Sequence, residues 1–237
     1  MTQIRLLPRT RLSACLLAAA VLLPAAHASA QTCTGAASFN THPVRVGGVL
    51  GTGDDLTTIG ADLLFGQAAG PFGGVGVSLD DFDDIDESAT TIQGTLGYQV
   101  PIGTPTRRRA PTAEFCPIAT LGYRLGPDFT SAGVDIENRT LLASAGFSIG
   151  APVGLSTAVN LVPFGGLRLI YTRNSLSPEN SDLETTDTDS YGALDLGAGL
   201  TFNDRFTVRP AVTVPIGLEG ADSRFSLLFA LHFGGPR

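Results

Sequence analysis

The sequence predicts an all-β fold, an up-and-down antiparallel transmembrane β-barrel of about ten strands, with eight possible. Three observations lead there: apolar residues recur at every second position through ten successive runs, the acidic residues sort onto alternate connections, and the composition disfavours helices. Gly supplies 29 of the 237 residues, about 12% against roughly 7% in an average protein. Inside a helix each Gly costs roughly 1 kcal/mol relative to Ala. Charged residues make up only 16%, too few for a chain held open by its own charge.

The N-terminal thirty residues read as a signal peptide, outside the fold. Arg5, Arg9 and Arg11 precede an apolar stretch from Leu16 to Ala26, and Ala28-Ser29-Ala30 fits the small-residue cleavage rule. The stretch is too short for a membrane-spanning helix. Leu12-Ser13-Ala14-Cys15 has the form of a lipoprotein acylation box but precedes the apolar stretch instead of closing it. Removal of residues 1–30 takes away three of the 15 basic residues, all Arg, and none of the 22 acids, leaving a net charge of −10. Such a chain lacks the basic face that nucleic acid requires, so no nucleic-acid partner is expected. No later segment has the 18 consecutive apolar residues of a transmembrane helix.

An N-terminal segment, 31–43, leads into the barrel, 44–233, and a short tail, 234–237, ends the chain. The runs with strand period are 44–52, 56–66, 72–80, 89–100, 114–125, 139–150, 157–173, 191–202, 205–217 and 223–233. In the fourth, Ile92, Leu96, Tyr98 and Val100 oppose Thr91, Gln93, Thr95, Gly97 and Gln99. In the eighth, Leu194, Leu196, Ala198, Leu200 and Phe202 oppose Tyr191, Ala193, Asp195, Gly197 and Gly199. The closing run is the clearest, with Phe225, Leu227, Phe229, Leu231 and Phe233 on one face and Arg224, Ser226, Leu228, Ala230 and His232 on the other. A soluble β-sandwich would also alternate, but its outer face carries abundant charge. Here the less apolar face holds mainly Gly, Thr, Ser and Gln, as the narrow interior of a small barrel in lipid requires.

The connections separate the two folds. Taken in order, the odd ones hold Asp54 and Asp55; then Asp80, Asp81, Asp83, Asp84, Asp86 and Glu87; then Asp128, Asp135 and Glu137. They continue with Glu179, Asp182, Glu184, Asp187 and Asp189, and finally Glu219 and Asp222, so 18 of the 22 acids share one rim. The even connections are mostly short, and one carries Arg107-Arg108-Arg109. An up-and-down barrel places odd and even connections at opposite ends, with longer loops outside the cell. A sandwich has no reason to sort charge by parity. Outward-parity Phe65, Tyr98, Phe115, Phe147, Phe202, Phe206 and Phe233 fall near the even end, and Tyr123, Tyr171 and Phe225 near the other. These are the two aromatic girdles of a membrane barrel.

With this pattern of leader, ten alternating runs and aromatic closing strand, the chain resembles bacterial outer-membrane β-barrel proteins, broadly the small OmpA-like and OmpW-like barrels. The resemblance spans about 44–233 and is one of pattern, without a diagnostic motif. It implies location in the bacterial outer membrane, contact with its lipid, and assembly by the barrel-assembly machinery, which reads a final strand ending in an aromatic residue. One departure is that Gly234-Gly235-Pro236-Arg237 follow Phe233.

Candidate site residues follow from parity. Arg45, Asp62, Glu114, Arg124, Arg168, Asp195, Arg209 and Arg224 face inward, as lumen charges that either line a pore or pair to plug it. Pairing is expected, because an isolated charge in a narrow interior is costly. The acidic run Asp80, Asp81, Asp83, Asp84, Asp86 and Glu87 reads as an external loop. It is a weak candidate for divalent cations, since it lacks the EF-hand's Gly at position six and Glu at position twelve. Cys33 and Cys116, the two cysteines beyond the leader, are expected to form a disulfide that pins 31–43 at the even-end mouth. Beyond the leader, His occurs only at His42 and His232, without a Ser and carboxylate at recognisable catalytic spacing, and Gly74-Val75-Gly76 and Gly197-Ala198-Gly199 complete no dinucleotide fingerprint. No catalytic, cofactor or firm metal site is expected. The sequence therefore points to a surface barrel with a structural or binding role and a largely plugged lumen. The alternatives are a small porin-like channel and a secreted soluble β-sandwich or lipocalin-like carrier.

Overall fold

The computed structural model describes residues 32–37, 39, 42–53, 56–67, 70–82, 85–102, 113–131, 134–178, 184–218 and 221–234. The expected leader, Arg107-Arg108-Arg109 and the last three residues lie outside them.

Ten long strands follow the predicted runs: β1 (Val44–Gly53), β2 (Leu56–Gly66), β3 (Pro71–Phe82), β4 (Ile85–Tyr98), β6 (Ala113–Leu125), β8 (Val134–Gly150), β10 (Val159–Pro178), β11 (Thr185–Phe202), β12 (Phe206–Ile216) and β13 (Arg224–Phe233). Three short strands, β5 (Val100–Ile102), β7 (Phe129–Ser131) and β9 (Val153–Gly154), lie in the connections. Each long strand pairs antiparallel with the next, and β13 returns to β1 with Val44 opposite Phe233 and Thr52 opposite Phe225. The sheet therefore closes on itself and has no edge along its main body. Among the described residues the one helical turn is the 3-10 turn Thr32–Thr34.

Burial is inverted relative to a water-soluble protein. On the outer face Leu96 is 71% exposed and Leu169 63%, whereas inside the barrel Arg45 and Thr207 are fully buried. A sandwich would bury the Phe, Leu and Val rows against one another; in this barrel they stand on the outside. The inner rows instead use small residues such as Gly47, Gly76, Thr91, Thr95, Ser148 and Thr201, which fit the limited cross-section of a ten-stranded barrel.

The strands differ from the predicted runs at the odd-connection end, hereafter the upper rim. β10 continues to Pro178 and β11 starts at Thr185, with Leu176 still opposite Thr185. Thr185 to Ser190 is polar on both faces, so apolar alternation gives no signal; backbone pairing alone extends the hairpin. The acidic run at 80–87 is likewise largely strand. β3 reaches Phe82, β4 begins at Ile85, and a register shift lies between Asp81 and Phe82. The even-connection end is the lower mouth.

Candidate functional site

The lower mouth is filled by the N-terminal segment. Cys33 and Ala36 are fully buried and Phe39 nearly so. Cys33 is joined to Cys116 at the start of β6, across 83 residues of sequence. The Ser148 hydroxyl donates to the Cys33 carbonyl, and Arg209 Nη1 donates to the Thr34 carbonyl at 2.9 Å. Phe39 packs near Phe72, 6.3 Å between ring centroids, in a cluster with Cys33, Leu64, Cys116 and Ile118. Two wall glycines admit the segment. A Cβ on Gly150 would collide with the Thr32 carbonyl, and one on Gly199 with that of Gly35. The segment thus touches β2, β3, β6, β8, β11 and β12 and lies across the mouth as a plug. His42 closes the seam by bonding through Nδ1 to the Gly234 carbonyl.

Above the plug, the wall's own charges pair across neighbouring strands. Arg45 Nη2 donates to Asp62 Oδ2 at 2.6 Å, with Gly47 opposite Asp62 leaving room for the carboxylate. Arg168 grips Asp195 with both prongs of its guanidinium, Nε to Oδ2 at 2.6 Å and Nη2 to Oδ1 at 2.8 Å, and Thr213 donates to the same Oδ1 at 2.7 Å. Such forked pairs fix geometry as well as charge. Gln99 donates to Glu114 near the mouth. Arg209 has no carboxylate partner among the described residues; the Thr34 carbonyl and the face of Phe164, 5.5 Å from the guanidinium carbon, meet its charge.

Nearer the upper rim, Arg124 Nη2 donates to Asp80 Oδ2 at 3.0 Å, and Thr58 donates to Asp80 Oδ1 at 2.7 Å. Asp80 is fully buried, which corrects its assignment to an external cation-binding loop. Its position in step with Phe72, Gly74, Gly76 and Ser78 carries the signal that the acidic run obscured. Asp81, by contrast, faces outward, and Glu87 is exposed. Asp83, Asp84 and the side chain of Asp86 lie outside the description. Asp80 and Asp81 thus face opposite sides of the wall, and no group of three or more potential metal ligands occurs among the described residues.

All eight lumen charges read from parity lie on the inward-facing rows, with Arg224 half-buried beneath the upper rim. The plug's contacts were not readable, because they depend on where 31–43 crosses the mouth. Of the two histidines, His42 bonds to the Gly234 carbonyl, and His232 Nε2 lies 3.0 Å from the Thr207 hydroxyl, with both of these last two residues buried.

Fold and site together define a closed ten-stranded barrel with an N-terminal plug and an ion-paired lumen. No protein-family model matches the chain, and no curated protein matches it. Among solved structures it is similar to the translocator domain of the autotransporter NalP from Neisseria meningitidis, with 15% identity, 81% of this chain and 76% of that one covered, and a TM-score of 0.43. The N-terminal β-barrel domain of Pseudomonas aeruginosa OprF matches at 13% identity over 82% of this chain and 100% of that one, TM-score 0.32. Ail, the attachment invasion locus protein of Yersinia pestis, matches at 13% identity over 80% and 95%, TM-score 0.31. These likenesses are distant; the architecture rests on the chain's own strand pairing.

Proposed function

We propose that this chain is a bacterial outer-membrane β-barrel, a surface protein with a structural or binding role whose lumen does not conduct. The inverted burial supports the reading most directly. Among the described residues 33 large apolar side chains are exposed, most of them on the outer rows of the strands, far beyond the few hundred square ångströms of contiguous apolar surface that a soluble monomer tolerates. The outward row from Phe225 to Phe233, tilted as in other barrels, covers roughly 20–25 Å, close to the height of a membrane barrel's apolar band. A closed sheet also pairs its backbone groups internally, as hydrocarbon demands. In this orientation the acid-rich upper rim faces outside the cell, and the plug and both chain ends face the periplasm.

Cell fractionation with unboiled gels tests the location. The mature chain is expected in the outer-membrane fraction, migrating differently before and after boiling. Recovery in the aqueous fraction without detergent would favour the soluble carrier. In planar bilayers the plugged lumen predicts no regular single-channel steps; reproducible steps from the purified protein would favour the small-channel reading.

A further inference from the structure

Arginines in this barrel are placed selectively. Of the eight described, Arg45, Arg124, Arg168, Arg209 and Arg224 point into the lumen, and Arg205 sits in the turn between β11 and β12 at the lower mouth. The remaining two, Arg139 on β8 and Arg173 on β10, stand on the outward-facing rows at the upper end of the apolar band. Register brings them together. Arg139 lies opposite Ser175 and Arg173 opposite Leu141, which makes the two arginines diagonal neighbours on one face, about 7–8 Å apart by strand geometry.

Their surroundings combine polar and apolar chemistry. Ser175 lies opposite Thr186, and Arg173 opposite Thr188, so hydroxyls continue the row onto β11. Two residues further into the band are Tyr171 on β10 and Ala143 on β8, directly opposite each other. Below Ala143, Ala145 faces Ala119 on β6, leaving a shallow strip between the flanking Leu121 and Leu169. Arg139 is half exposed and donates to exposed Glu137 at 2.6 Å, leaving its other donors available. Arg173 is exposed and has no ion-pair partner among the described residues.

On the membrane reading above, a guanidinium at the hydrocarbon boundary of the lipid face meets headgroups, and the one ion pair there, Arg139 with Glu137, leaves Arg173 and the remaining Arg139 donors facing them. We propose that Arg139 and Arg173 clamp the phosphate of a membrane lipid headgroup, with the Ser175, Thr186 and Thr188 hydroxyls beside it and an acyl chain lying over Ala143, Ala145 and Ala119. Phosphate oxygens match the planar guanidinium fork, and Glu137 acts as an internal competitor for Arg139.

Native mass spectrometry of the full mature barrel in detergent micelles tests this, with diphosphorylated lipid A, its dephosphorylated counterpart and phosphatidylcholine as probes. The wild type is expected to retain the diphosphorylated lipid preferentially, and R139Q/R173Q to retain about tenfold less. R205Q, at the opposite end, should bind as wild type, and Glu137→Gln should bind more tightly. Equal binding by the double variant, equal retention of the dephosphorylated lipid, or displacement of the lipid by inorganic phosphate would overturn the clamp. The unboiled-gel shift of each sample keeps the two readings distinct. A chain that stays soluble without detergent contradicts the membrane reading, whereas an inserted barrel indifferent to both arginines contradicts the clamp alone.

Discussion

The two halves of the lumen are closed by different means. At the lower mouth the filling comes from outside the wall: a segment preceding β1, tied to β6 by Cys33–Cys116 and seated against Gly150 and Gly199. In the upper half the wall fills itself, through Arg124 with Asp80 and Thr58, and through the Thr140 hydroxyl donating to Asn174 at 2.8 Å. The lower closure depends on one covalent link and on a few positions without side chains. The upper closure depends on matched charges that cannot be removed singly without leaving an ion buried. One barrel thus combines a plug that is in principle separable with a network that is part of the wall.

The largest expected effect breaks the lower half. Replacing Cys33 and Cys116 by Ser releases a loop closed over 83 residues, a loss of about 4.5 kcal/mol on the chain-entropy model. The urea midpoint should fall, and protease should cut within 31–43 while the barrel still shifts on unboiled gels. Resistance of that segment after loss of the bridge would mean that packing alone retains it.

The upper half is probed by Arg124→Leu, which leaves Thr58 as the remaining hydrogen-bond partner of buried Asp80. Breaking a buried pair from one side costs about 3 kcal/mol or more. The double variant with Asp80→Leu should recover most of it, because both charges then leave together. Urea unfolding of the single and double variants in the same detergent checks the coupling, and additive losses would contradict the pair.

Gly199→Val sharpens the contrast within the wall. Its side chain meets the plug backbone at Gly35, with an expected cost of about 1–3 kcal/mol and a plug more open to protease. Gly94→Val, on the outward face with only the Gly74 carbonyl oxygen within 4 Å, should leave both readouts near wild type. The smallest effect belongs to Thr213→Val, which removes one hydrogen bond from Asp195 while Arg168 keeps its fork; about 1 kcal/mol is expected from the same unfolding measurement.

The sequence makes the barrel legible because period-two alternation is a local property, and one face must be apolar over the length of each strand. Parity alone therefore places Arg45, Arg168 and Asp195 inside. It fails where both faces are polar, as in Thr185 to Ser190, and where composition overrides register, as at Asp80. The plug is legible only through its cysteines. Its contacts with Arg209, Ser148 and Gly199 join residues more than a hundred positions apart, and only the closed barrel brings them together.

Depth-dependent quenching addresses the orientation of the wall most directly. Single cysteines introduced at Leu96, Leu169 and Val75 in a chain lacking the native pair, labelled with a fluorophore and placed in bilayers of brominated phosphatidylcholine, should be strongly quenched, whereas Thr188→Cys and Glu87→Cys at the upper rim should be quenched weakly. Uniformly weak quenching at all five positions would mean that hydrocarbon does not surround the outer rows, and would contradict the account.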